Sequence, residues 1–368
     1  MKRRSLFLVA ALAAFSLAAA PAPSSWTMFR GDSQLTGRAS GTLPADPKPL
    51  WTFRSEKGFT STAAIVDGTV YVGGLDGNFY ALDLATGKAK WTYKAQDEIK
   101  SSPSVKDGVV YFGDEKGGFH ALDAKTGQKR WLFQAGSGVV SSANFAPGCV
   151  LVGSYDQFLY CLNPKDGSVV WKVETDGYIH GTPAVVGDTV VSAGCDGFLR
   201  ILRVKDGKEV RQVSLGGYVG GSPAVSGDRL YVGNFENQFL AVDLAAGKVL
   251  WRYEHPVRKF PYYSSPALAG NTVVFGGRDK LIHAVEAATG KSRWTFSARS
   301  AVDASPVVLG DRVFAADKSG QLLALDVKTG KAVWTFDAGS GIESSPAIAA
   351  GRLVVGTSDG TLYAFGAK

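Results

Sequence analysis

The chain is poor in groups that do chemistry. Among its 368 residues are four histidines, three cysteines and two methionines, and no two cysteines are adjacent. His180 has no second histidine beside it, so no metal-ligand pair can be read there and no metal site is expected. Charge of one sign is also weak. Lys2, Arg3 and Arg4 precede an apolar run from Leu6 to Ala20, followed by small residues, which is the pattern of a secretory signal. Setting aside residues 1–22 removes those three charges and takes the formal net charge from +7 to +4. A surplus that mild and that evenly spread argues against nucleic acid as a partner. The apolar run is too short and too alanine-rich for a membrane helix, so no transmembrane segment is expected in the mature chain. No cysteine stands at the junction to take a lipid. A periplasmic or extracellular protein, and a monomer, are expected.

Cys149, Cys161 and Cys195 leave at least one thiol unpaired. Cys149 and Cys161 fall on the two strands of one hairpin. Counting outward from the turn at Asp156 places them out of register and on opposite faces, so no disulfide is expected between them.

What the chain does have is a repeat. Residues 81–91 read ALDLATGKAKW, and the pattern returns at 121–131, 241–251, 284–294 and 324–334. Weaker copies at 161–171 and 201–211 carry Asn163 or Arg203 in place of the aspartate, and the second ends in Arg211 instead of tryptophan. The step is forty residues, with a single interval of forty-three. A period of that size signals a propeller or solenoid.

Residues 101–133 show the unit. Strands are expected over 101–105, 109–113, 119–123 and 129–133, with turns at Asp107-Gly108, 114–118 and Thr126-Gly127. Glycine with a neighbouring aspartate suits tight hairpins, and the valines and aromatics between suit half-buried strands. Four antiparallel strands per forty residues make one propeller blade. A Ser-Pro element or its variant occurs eight times, from Thr62-Ala63 to Ser345-Pro346, so eight blades are expected. The last unit ends after three strands, whereas Leu50 to Phe53 supplies a fourth strand with no preceding three. Pairing the two fragments removes an open edge at each. The chain is therefore expected to be all-β: an eight-bladed propeller over 50–368, closed by the strand around Trp51, with an irregular arm over 23–49 that packs through Trp26 and Phe29.

Trp51, Trp91, Trp131, Trp171, Trp251, Trp294 and Trp334 are read as docking residues that reach from each outer strand to the neighbouring blade. Burying each contributes about 3 kcal/mol. The motif alanine would leave room for an adjacent indole, and the aspartate would accept hydrogen bonds from turn amides. Repetition makes these aspartates structural, because an active site needs its acid once.

The pattern Ala-x-Asp-x-x-x-Gly-x-x-x-Trp, with Thr before Gly in several copies, resembles the tryptophan-docking motif of the pyrroloquinoline quinone repeat family. The arm WTMFRGDSQLTG resembles the segment that precedes the repeats in many such proteins. Neither the Trp-Asp pair of WD repeats nor the double glycine of kelch repeats recurs. The resemblance implies one of two branches. Quinoprotein alcohol or sugar dehydrogenases hold the quinone over the channel beside calcium, and many stack a vicinal disulfide on it. Their chains are longer, with insertions that build the pocket, whereas the blades here are nearly bare. The chain is more similar to the non-catalytic propellers of outer-membrane protein assembly, which implies a protein partner in the cell envelope, no cofactor and no catalytic residue. Pyrroloquinoline quinone with calcium, or a small ligand at the channel mouth, are the alternatives.

Two candidate regions follow. Ahead of each Ser-Pro element stand Phe59, Ile99, Val139, Ile179, Val219, Tyr262, Val302 and Ile342, all expected to face the core. One residue later come Thr60, Lys100, Val140, His180, Gly220, Tyr263, Asp303 and Glu343, which share no chemistry. Strand alternation turns this second set toward the channel mouth. Lys100, His180, Tyr263, Asp303 and Glu343 are the candidate binding ring. The other region is the single insertion, EHPVRKFPYYSS, where His255, Arg258, Lys259, Phe260 and Tyr262 form a candidate partner-binding loop.

Overall fold

The computed structural model describes residues 25–368, and the expected signal segment lies outside them. Eight sheets of four antiparallel strands follow one another around a ring, with no helix among the described residues. No helix is therefore long and apolar enough to cross a membrane. The first blade comprises Ala64–Val66, Thr69–Gly73, Asn78–Asp83 and Ala89–Lys94, and the next six repeat that plan. In the eighth, Ala347–Ala349, Arg352–Gly356 and Thr361–Gly366 are completed by Lys48–Arg54. Trp51 lies opposite Ala364 and Thr52 opposite Tyr363, which closes the ring as the split repeat required.

The second blade shows where the sequence was imprecise. Its innermost strand is Ser104–Lys106, not residues 101–105. Pro103 has no N–H to give a ladder, and the Ser102 amide donates to the Ser142 hydroxyl of the next blade at 2.9 Å. The Ser-Pro element thus binds blade to blade instead of strand to strand.

Six indoles dock alike on the following blade, while Trp334 meets the eighth blade edge-on through Phe365, with ring centres 5.7 Å apart. Trp51, Trp91, Trp131, Trp171, Trp251 and Trp294 donate Nε1–H to the carbonyls of Leu84, Ala124, Pro164, Val204, Ala287 and Val327 at 2.8–3.2 Å. Beneath each ring lies the motif glycine of that next blade. A Cβ on Gly87 would stand 2.6 Å from the Trp51 ring, and Gly87 has a φ of +73°. The glycine therefore serves both the turn and the close approach. It, and not the alanine, makes room for the neighbour's indole. The alanine pairs across strands with its own blade's tryptophan, as Ala81 does with Trp91. Asp83, Asp123 and Asp326 accept amides two and three residues on, the turn role read for them.

The arm is more ordered than its composition suggests. It runs around the inside of the channel and accepts amides from the innermost strands in turn. Val105 donates to Thr27, Val185 to Ser33, Val225 to Gln34, Leu268 to Thr36 and Val308 to Gly37, at 2.7–2.9 Å. Trp26 bridges Ile65 and is fully buried, and Arg38–Ala39 adds a parallel strand to Val307–Leu309. The inner edges of a ring of sheets offer unpaired donors, and the arm satisfies them.

Cys149 and Cys161 form a disulfide with Cα atoms 5.3 Å apart, contrary to the sequence reading. Leu151 pairs with Cys161, so Cys149 is offset from Cys161 by two positions. An offset of two keeps both on one face; the register was out, but the faces agree. Cys195 is free.

Candidate functional site

The channel is closed at one end by the arm and open at the other, leaving a cup of about 270 Å³. Phe29 lies at its arm end. Thr62, Ser102, Ser142, Thr182, Ser222, Ser265, Ser305 and Ser345 form a hydroxyl belt around it. Above the belt stand Thr60, Lys100, Val140, His180, Gly220, Tyr263, Asp303 and Glu343, so the structure gathers one residue per blade from the position that strand alternation turned toward the mouth. The eight residues that precede them in sequence, from Phe59 to Ile342, are all buried.

A second ring, not anticipated, surrounds the first. Leu75, Glu115, Tyr155, Cys195, Phe235, Arg278, Lys318 and Ser358 occupy one position of the repeat. Each donates its backbone amide to the loop that leads into its own blade. The side chains of Glu115, Tyr155, Phe235, Arg278 and Lys318 reach the first ring. Arg278 grips Asp303 with two hydrogen bonds, at 2.9 and 3.1 Å, while its guanidinium lies 4.7 Å from the Tyr263 ring centre. Lys318 stands 3.0 Å from Asp303 and 3.4 Å from Glu343. Lys100 pairs with Glu115 at 2.7 Å. These partners were legible in principle, because the same repeat register that found the first ring also isolates a second variable position.

His180 sits between two tyrosines, with Tyr155 Oη 2.6 Å from Nδ1 and Tyr263 Oη 2.5 Å from Nε2. Burial, aided by the Lys100 ammonium, pushes its pKa down to about 4, so the ring is neutral at pH 7. A neutral imidazole has one N–H and one lone pair. One tyrosine therefore donates to it and the other accepts, and the accepting tyrosine keeps a proton to give. Burial also pushes the Tyr263 hydroxyl up to about 12.

The other histidines are accounted for by packing. His120 and His283 are buried, each held between an aspartate and a tyrosine: Asp114 and Tyr93 for the first, Asp279 and Tyr253 for the second. His255 Nδ1 accepts amides from Val257 and Arg258 and so shapes the insertion loop. In that loop Lys259 pairs with Glu254 at 2.9 Å, and Arg258 donates to the Asp279 carbonyl. Tyr262 is fully buried against Phe275 and His283, with its hydroxyl accepting the His255 amide. Its place in the candidate partner-binding set is thereby corrected: it supports the loop from within, because its position in the repeat is the core-facing one. Val257, 82% exposed, and Phe260, 50% exposed, are the free apolar groups.

The loop has company. Tyr178 and Tyr218 are 52% and 61% exposed. Their carbonyls accept the amides of Cys195 and Phe235, as the Pro261 carbonyl accepts that of Arg278. All three therefore occupy equivalent positions on the mouth face of successive blades. Tyr178 also stacks on Tyr155, with ring centres 5.0 Å apart. The sequence signal was there: at this position of the repeat the other blades carry Gly58, Glu98, Gly138, Ala301 and Gly341.

These features define an eight-bladed propeller with tryptophan-docked repeats and a variable mouth. The chain belongs to the PQQ_2 family, described as outer membrane protein assembly factor BamB, whose pattern matches residues 36–147, 134–255 and 278–368. Among solved structures it is similar to BamB from Moraxella catarrhalis, at 20% identity over 87% of this chain and 100% of that one, with a TM-score of 0.76. It is also similar to the quinohemoprotein alcohol dehydrogenase of Comamonas testosteroni, at 14% identity over 93% of this chain and 80% of that one, with a TM-score of 0.80. At these identities the likeness is one of fold. No curated protein sequence matches the chain.

Proposed function

We propose that this chain is an exported, non-enzymatic scaffold that binds a protein partner in the cell envelope, in the manner suggested by the assembly factor that gives its family a description. The observation that carries this reading is the row of exposed Tyr178, Tyr218, Val257 and Phe260 on three successive loops of the mouth face. Aromatic side chains on rigid loops cost little entropy to dock and anchor protein contacts. Arg258 and Lys259 flank the row and suit an acidic rim on the partner.

The donor chemistry of the cup supports the absence of quinone catalysis. Calcium takes about six to eight oxygen ligands. The two carboxylates that line the cup, Asp303 and Glu343, are already held by Arg278 and Lys318. The residues present therefore do not fit a calcium-bound quinone.

Photo-crosslinking in cells that make the protein tests the scaffold reading. A benzoyl-phenylalanine placed at 218 or 260 is expected to capture one envelope protein, and one placed at 188, away from the row, is not. Capture of the same proteins from all three positions, or of none, overturns the reading. So would dye-coupled oxidation of alcohols or sugars by the purified protein supplied with pyrroloquinoline quinone and calcium.

A further inference from the structure

The hydroxyl belt has an unusual donor balance. The amides of Thr62, Ser102, Thr182, Ser222, Ser265, Ser305 and Ser345 donate to the side-chain oxygens of Ser102, Ser142, Ser222, Ser265, Ser305, Ser345 and Thr62, at 2.8–3.1 Å. A hydroxyl oxygen that accepts an amide still carries its own proton. None of these seven hydroxyls donates to another protein group among the described residues, and all seven line the cup. Seven O–H groups whose protons are committed to no protein acceptor among the described residues thus surround one axis.

The charge beneath them has the sign that an acceptor would need. Arg30 is fully buried, with its guanidinium 5.8 Å from the ring centre of Phe29, which lines the cup. One nitrogen donates to the carbonyls of Pro266 and Pro306, while Nε and the second terminal nitrogen have no partner. Arg30 makes no ion pair among the described residues. A buried guanidinium without a direct ion pair is costly; burial pushes its pKa down to about 9 against the opposing pull of the Asp32 carboxylate, and it still holds its proton at neutral pH. In the wall above, Thr60 Oγ1 is buried and also unpartnered. In the wall, Lys100, Arg278 and Lys318 are matched by Glu115, Asp303 and Glu343, so the uncompensated positive charge is that of Arg30. His180 is neutral and adds nothing to that balance.

We propose that the lower part of the cup binds the carboxylate of a small organic acid, with the belt hydroxyls donating to its oxygens. Val140, His180, Gly220 and Tyr263 then form an arc that receives the apolar remainder of the molecule. The ligand is an anion because the belt hydroxyls carry protons committed to no protein acceptor and the buried charge beneath is positive. It is organic because blades three to six place no charge on the first ring, and inorganic phosphate would leave that arc uncovered. The site is distinct from the row of exposed aromatics, so a partner-binding protein could carry it or lack it.

Isothermal titration of the exported, purified protein decides the matter with three probes: benzoate, benzamide and inorganic phosphate. Benzoate is expected to bind saturably, one per chain, with benzamide and phosphate much weaker. Two variants locate the site. Ser305→Ala removes one donor, and Val140→Trp fills the arc while leaving the belt intact. Each is expected to weaken benzoate about tenfold or more, the effect of losing one hydrogen bond to a charged group or the space for the ring. Melting curves establish that each variant is folded, and Val140→Trp carries the test should Ser305→Ala fail to fold. No saturation by about 10 mM benzoate, equal binding of benzamide, preferential binding of phosphate, or unchanged affinity in folded Val140→Trp would each overturn the proposal.

Discussion

The indole of Trp51 lies directly over Gly87, so the strand that completes the eighth blade is clamped to the first blade by the contact that also joins five other pairs of neighbouring blades. This one pair connects the chain's beginning, its end and its first repeat. Gly87→Ala places a methyl group against the indole and also strains a φ of +73°. Gly68→Ala strains a φ of +68° but meets nothing within 4 Å. The second change is expected to cost about 1 kcal/mol and the first about 2–4 kcal/mol. Chemical denaturation of both variants checks the difference; equal losses would mean that the indole gives way.

Arg211 occupies the one docking position without tryptophan. It reaches over Gly247 and donates to the Ala245 carbonyl, as an indole N–H does elsewhere. Arg211→Trp should therefore restore the standard contact and raise stability by about 1 kcal/mol, the usual return for matching a repeat to its consensus. Denaturant midpoints at unchanged slope read this out.

His180 predicts a pH dependence. Its folded pKa, about 4, lies below the ordinary 6.5. Between those values the unfolded chain binds a proton that the folded chain does not, so stability falls as pH drops from 6.5 toward 4 and levels off below. The full effect is about 3 kcal/mol. Lys100, Tyr155 and Tyr263 surround the ring, and none of these three changes charge in that window. His180→Gln should flatten that part of the stability profile; a slope equal to the parent's would place its origin in the carboxylates.

The arm should act as an inner seal. Trp26→Ala removes a buried indole at a cost of about 3–5 kcal/mol. It should also speed hydrogen exchange at Ile65 and Val105, whose amides donate to the carbonyls of Trp26 itself and of Thr27. Val308, at the far end of the arm, should change less, because its acceptor Gly37 sits next to the parallel strand at Arg38–Ala39. Exchange monitored by mass spectrometry distinguishes local release from global unfolding, which would raise all three alike.

Tyr218→Ala and Phe260→Ala should leave stability within about 0.5 kcal/mol, since both side chains are largely in solvent. Each should nevertheless reduce partner capture. Tyr262→Ala should behave in the opposite way, costing about 3–5 kcal/mol because that ring fills the core behind the loop. Melting temperature and crosslink yield, measured on the same three proteins, separate surface from support.

Much of this molecule follows from its repeat alone. A forty-residue period with turn glycines and a terminal tryptophan specifies blades, their number and their closure, because each unit buries its apolar face only by stacking on a copy of itself. The first ring at the mouth was legible for the same reason: in a regular scaffold, strand alternation turns equivalent residues to equivalent places. What the sequence could not decide lies between units or across the axis. The Arg278–Asp303 and Tyr155–His180 contacts join residues of neighbouring blades, and the path of the arm past the innermost strands depends on amides that only a closed ring presents. Whether Arg30 would be buried without a direct ion pair, and whether a set of serines would converge as donors, are properties of the circle and not of any one repeat.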